Sequence, residues 1–141
     1  MGNRIDRDAV YRKYKGRCAY CGKNMCFKRM QVDHLHPQSL KHFEPGLDNN
    51  RFDNLMPSCA KCNNFKGGMK LELFRSELQK QVERLRSNAQ FQRALRFGQI
   101  IENECPIIFH FELLKYSDEI SPGLNENQVE FLKKRKREKK R

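Results

Sequence analysis

Apolar residues recur at helical spacing near the start of the chain, where Ile5, Ala9, Val10 and Tyr14 can share one face, so Asp6 to Tyr14 predicts a short helix that Gly16 ends. Met30-Gln31-Val32-Asp33-His34 alternates with period two, which predicts a strand carrying Met30, Val32 and His34 on one side and Asp33 on the other. From Pro37 to Asn54 the periodicity disappears among Asn, Asp, Pro and Gly, and a long loop with a turn at Glu44-Pro45-Gly46 is expected. Farther on, Phe74, Leu78, Val82 and Leu85 recur at i, i+4, i+8 and i+11, the pattern of one long helix with a core-facing stripe. Asn88 can cap a further short helix bearing Phe91 and Leu95 and closed by Gly98. Pro106 to Leu114 reads as a strand with Ile107, Phe109, Phe111 and Leu113 on one face, either internal or an edge for pairing two chains. Asn125-x-x-Gln128 forms a capping-box pattern that opens a last, basic helix.

Cysteine spacing changes this picture from a generic small domain to a metal-stapled one. Cys18-x-x-Cys21 and Cys59-x-x-Cys62 each set two thiolates on a tight turn, and four thiolates complete the closed tetrahedral shell of a structural zinc. Such an ion has no position left for water, so catalysis must come from residues between or just beyond the pairs. A disulfide framework is disfavoured by the knuckle spacing and by the lack of a secretory signal. Cys26 and Cys105 remain; Cys26 is read as a buried free thiol, or as an alternative ligand because it lies close to the first pair.

The 141 residues have room for one modest domain, with no internal repeat and no apolar run of membrane-spanning length, so an intracellular, cytoplasmic chain from a phage or bacterial setting is expected. The formal net charge of +12 points to a polyanionic partner. Much of it is terminal: Lys133 to Arg141 holds eight basic residues and one acidic one, including Lys133, Lys134, Arg135, Lys136 and Arg137. Such a run is either a solvated end or a non-specific phosphate contact.

Taken in order, Cys18-x-x-Cys21, Val32-Asp33-His34-x-x-Pro37 and Asp53-Asn54-Leu55-x-Pro57-x-Cys59-x-x-Cys62-Asn63-x-x-Lys66-Gly67 resemble the zinc-containing branch of the HNH nucleases over about Arg17 to Gly67. The resemblance implies an α+β fold, a ββα-metal nuclease core stapled by a four-cysteine zinc site, here with additional C-terminal helices and a strand. It implies an endonuclease hydrolysing DNA phosphodiester bonds, by nicking or, as a homodimer, by double-strand cleavage. His34 takes the place of the general base, Asp33 and Asn63 the places of ligands to one Mg²⁺ or Mn²⁺, and Asn54 that of the Asn that braces the loop and orients the base. Lys66 would sit near a helix start and hold a phosphate. Asn63 stands where part of the family has His, which favours a hard ion. His36 either faces the same ion or is an exposed loop residue, and His42 and His110 are read as loop and sheet positions. The expected organisation is a core over 1–87, a helix-strand extension over 88–124 and a basic tail over 125–141. Two alternatives stay open: a non-catalytic zinc-knuckle module that binds nucleic acid or a partner protein, and the same chemistry on RNA.

Overall fold

The computed structural model describes residues 4–39, 48–102 and 105–115, together with 130, 133, 134 and 137. The turn at Glu44-Pro45-Gly46, His42 and the cap at Asn125-x-x-Gln128 lie outside these residues. In chain order the elements are α1 (Arg7–Arg12), a 3₁₀ turn (Phe27–Arg29), β1 (Gln31–His34), β2 (Leu55–Ser58), α2 (Ala60–Lys66), α3 (Leu71–Gln79), α4 (Gln81–Leu85), α5 (Ala89–Arg96) and α6 (His110–Lys115). The chain falls into two compact units, one formed by Met1–Phe74 with Phe109–Leu114 and the other by Arg75–Ile108 with Lys115–Arg141.

In the first unit α1 is capped by Asp6. The Asp6 carboxylate accepts from the backbone N–H groups of Asp8 and Ala9. Val10, Met30 and Leu55 are buried together, with Ile5, Tyr11, Met25 and Val32 packed around them. Lys13, at the end of α1, donates to the carbonyls of Phe52 and Leu55, each at 2.9 Å, and so pins the approach to β2. Gly16 takes φ +73° to leave α1, and a Cβ there would lie 2.7 Å from the Tyr11 hydroxyl, which itself donates to the Met25 carbonyl at 2.8 Å. Gly16→Ala is therefore expected to lower stability by about 1–3 kcal/mol, the left-handed strain adding to a displaced tyrosine. Urea denaturation measures it, and an unchanged midpoint would contradict this packing.

β1 and β2 pair antiparallel with Gln31 opposite Ser58, Val32 opposite Pro57, Asp33 opposite Met56 and His34 opposite Leu55. A proline is tolerated in β2 because a two-stranded sheet has only edge strands. The Pro57 carbonyl bonds outside the pair, accepting from the Ala19 N–H at 2.8 Å, and thereby joins the first cysteine turn to the sheet. β1 alternates as expected: Val32 joins the cluster around Val10, while Gln31 and Asp33 reach α2.

Three sequence expectations are corrected. Pro106 to Leu114 does not form a strand: His110–Lys115 is helical, and the N–H groups of His110 and Phe111 donate to the carbonyls of Tyr20 and Ala19 at 2.9 and 2.8 Å. The first cysteine turn thus satisfies the open N-terminal donors of α6, which a strand would have offered to a neighbouring strand. Phe109, Phe111 and Leu113 are buried all the same, because Tyr20, Phe74, Phe109 and Phe111 form one aromatic cluster. No edge for pairing two chains exists at this segment. The second correction is that the predicted long helix is two, α3 and α4, divided at Lys80. Its stripe is core only at Phe74, with Leu78 and Val82 half-buried and Leu85 exposed. Beyond Phe74 the chain enters the second unit, in which no described residue is fully buried. That unit is held by polar ties such as the Arg86–Glu102 ion pair and the paired bonds of the Gln79 amide to Cys105 and Ile107. The expected α5 is present, with Asn88 accepting from Gln90 and Phe91 and Gly98 at φ +69° after its end. Third, Cys26 is exposed, not buried, and Cys105 is half-buried.

Candidate active site

Four thiols converge where the two cysteine turns meet. The Sγ atoms of Cys18, Cys21, Cys59 and Cys62 lie within 4.8 Å of one another, and Cys21 and Cys59 are 3.9 Å apart. Thiolates about 2.3 Å from a tetrahedral ion stand roughly 3.8 Å from each other, so the residues fit a single ion of zinc's size and softness. Cys26 stays outside the cluster. The fold supplies the geometry twice over. Cys18 donates its N–H to the Lys23 carbonyl and accepts from Gly22, whose φ of +74° closes the turn. Cys59 caps the start of α2 and Cys62 sits in its first turn, while the Cys59 N–H points at the Cys18 sulfur at 3.4 Å. Hydrogen bonds from the Cys21 and Cys62 thiols draw the Cys18 thiol far below its usual range, whereas the same contacts push Cys62 up.

α2 continues from Cys62 to the other half of the site. Its Asn63 amide donates to Gln31 Oε1 at 2.7 Å, and its last residue, Lys66, donates to the His34 carbonyl at 2.8 Å and pairs with Asp33 Oδ2 at 3.0 Å. Tyr20 donates its hydroxyl to the same Oδ2 at 2.5 Å. Burial and the Asp33 carboxylate raise the Tyr20 hydroxyl well above its ordinary range, so it remains a donor at any working pH. Lys66 is 0% exposed and Asp33 7%. The expectation that Lys66 lies near a helix start is corrected: it is the last residue of α2, and its side chain is fully buried.

His34 closes β1 and is half-buried. Its Nε2 lies 3.1 Å from Asn50 Oδ1 and 3.1 Å from Gln38 Nε2. A bond to Asn50 requires the proton on Nε2 and leaves Nδ1 basic, while a bond from Gln38 requires the opposite tautomer, so one amide must dominate at a time. Asn54 is buried beneath this loop, with Oδ1 accepting from the His36 N–H at 2.7 Å and Nδ2 donating to the Asn49 carbonyl at 2.8 Å. Asn54 also accepts at its own carbonyl from Leu35, at 2.9 Å. Both sides of the loop are tied to one side chain, immediately beyond His34.

Residues 18–68 match the HNH endonuclease family model. The chain carries an HNH endonuclease domain. No curated protein sequence matches the chain. Among solved structures it is similar to the Type II-C Cas9 enzyme from Actinomyces naeslundii, at 20% identity and a TM-score of 0.47, over 91% of this chain and 11% of that one. The chain spans about a tenth of that enzyme's length.

Within the HNH domain the structure brings the four cysteines together and gathers Asp33, Asn63 and Lys66 where β1 meets α2, with His34 at the end of the same strand. Among the described residues no further cluster of three or more His, Cys, Asp or Glu side chains is placed to hold an ion. His36 is exposed, and His110 is a buried residue at the start of α6 instead of a sheet position. Lys133, Lys134 and Arg137 are exposed, while Arg135 and Lys136 lie outside the described residues. Sequence reading missed Tyr20, Gln31, Gln38 and Asn50. Gln31 had a signal, since a residue two before Asp33 on a strand shares its face. No helix among the described residues is long and apolar enough to cross a membrane.

Proposed function

We propose that this chain is a metal-dependent endonuclease that hydrolyses DNA phosphodiester bonds, with zinc on the four cysteines as a structural ion and Mg²⁺ or Mn²⁺ on Asp33 and Asn63. The observation that supports it most is His34 at the end of β1, one residue past Asp33, on a loop fixed by the buried Asn54. A half-buried imidazole is a suitable base near neutral pH and can take a proton from water as that water attacks phosphorus. Asn54 sets the backbone beside His34, and Asn50 or Gln38 sets which ring nitrogen is basic. Asp33 keeps an oxygen, Oδ1, that the bonds from Lys66 and Tyr20 do not use, and Asn63 offers an amide oxygen, a hard donor set that fits Mg²⁺. A hard divalent ion there supplies charge neutralisation at the phosphate and at the leaving oxygen. The basic residues Lys133, Lys134, Arg135, Lys136 and Arg137 add phosphate contacts that do not read sequence. One such site cuts one strand per encounter, so a double-strand break takes two chains or two visits.

The test is nicking of supercoiled plasmid. Protein treated with mild EDTA, which strips a weakly held ion and leaves tetrahedral zinc, should be inactive, and Mg²⁺ or Mn²⁺ should restore nicking. Equal nicking with EDTA present would overturn the proposed use of a second ion.

A further inference from the structure

Two oppositely charged side chains of the HNH domain are shut away from solvent, and they meet each other. The Lys66 ammonium lies 3.0 Å from Asp33 Oδ2 and 6.0 Å from the centre of the Tyr20 ring, and it donates to the His34 carbonyl at 2.8 Å. Tyr20 adds its hydroxyl to the same Oδ2. A fully buried ammonium persists only where a counter-charge and hydrogen bonds replace its hydration, and Asp33, the His34 carbonyl and the tyrosine ring provide them. A purely structural bolt has no need of charge, since apolar side chains of equal volume often replace buried ion pairs without loss. The charge is therefore informative. It sits on the carboxylate that the proposed mechanism assigns to a divalent ion.

We propose that Lys66 is the built-in counter-cation of Asp33: it holds the carboxylate by Oδ2 while no divalent ion is bound, leaves Oδ1 to the ion, and by its own charge keeps that ion's binding weak and exchangeable. The inference rests on the reading of Asp33 as an ion ligand. Two cations on one carboxylate repel, so each weakens the other. Without Lys66 the ion-free protein would bury Asp33 with the Tyr20 hydrogen bond but no counter-charge, and a bound ion would supply that charge. Lys66 is accordingly a positioning residue, and it touches no substrate.

The test uses zinc-loaded full chain and reads Mn²⁺ affinity by electron paramagnetic resonance, with thermal melting alongside. Lys66→Met should bind Mn²⁺ at least about tenfold more tightly than the unmutated chain, because a nearby positive charge is gone. It should melt lower in ion-free buffer and recover on adding Mn²⁺, as binding to the folded state alone requires. Asp33→Asn/Lys66→Met removes both charges, so it should melt above Lys66→Met without ions and ignore Mn²⁺. A Lys66→Met protein that is unfolded without ions and folds on adding Mn²⁺ supports the proposal equally. Unchanged or weaker Mn²⁺ affinity, or a Lys66→Met protein that no concentration of Mn²⁺ rescues, overturns it. Nicking enters neither readout. A chain that passes both and never nicks would overturn the nuclease reading and leave the role of Lys66 standing, while a nicking chain whose variant fails them keeps that reading and loses this one.

Discussion

Serine in place of Cys62 should cost the chain its zinc and, with it, the folded state of the first unit. Structural zinc contributes roughly 10–16 kcal/mol in small zinc-dependent folds, which equals or exceeds the roughly 5–15 kcal/mol that a whole domain has in hand. The geometry says why so little would survive. Tyr20 lies between Cys18 and Cys21, and it is the ring against which Phe74, Phe109 and Phe111 pack. The same turn holds β2 through Ala19 and α6 through the carbonyls of Ala19 and Tyr20. Releasing the ion frees that turn, and three separate parts of the unit lose their anchor together. Far-ultraviolet circular dichroism with elemental analysis decides it: the unmutated chain should carry one zinc and Cys62→Ser should carry none and be largely unfolded. Unmutated protein that is folded with under about half an equivalent of zinc would refute the metal-stapled picture.

His34→Ala should abolish the chemical step and leave the fold intact. A positioned general base is worth about 10²- to 10⁴-fold in rate, so nicking should fall by at least that much, and added imidazole should restore part of it. The side chain is half-buried and its partners are the amides of Asn50 and Gln38, which can turn to water once the ring is gone, so melting and zinc content should hardly change. Asn63→Ala makes the contrast, since losing an ion donor should demand more Mg²⁺ at little loss of maximal rate. Nicking by His34→Ala within a few-fold of the unmutated chain would remove His34 from catalysis and return the domain to a binding role.

Where structure depends on local chemistry, the sequence was legible. The short helix after Asp6 forms, Asn88 caps α5 as expected, the two cysteine turns meet, and β1 alternates between core and α2 because its side-chain period is two. Misreadings arose where a distant partner decides the outcome. Alternating apolar residues from Ile107 to Leu113 look like a strand, yet among the described residues no strand lies alongside them, and carbonyls of the cysteine turn take the N–H groups that begin α6 instead. Phe74 to Leu85 has one helical period but only one fully buried position, because burial ends with the first unit. Lys66 was misplaced for a related reason. The motif suggests a lysine near a helix start, and nothing in its neighbourhood along the sequence shows that it ends α2 enclosed by Asp33 and Tyr20.

The return of Phe109–Leu114 to the first unit also orders events during synthesis. Every residue proposed for chemistry has been made once Gly68 is added, yet the bonds that close the aromatic cluster join Ala19 and Tyr20 to partners about ninety positions later. At about 5–20 residues per second the ribosome needs about 2–10 s to run from Gly68 to Leu114. For that interval a nascent chain holds all its motif residues without Phe109 and Phe111, the rings that complete the aromatic cluster on Tyr20.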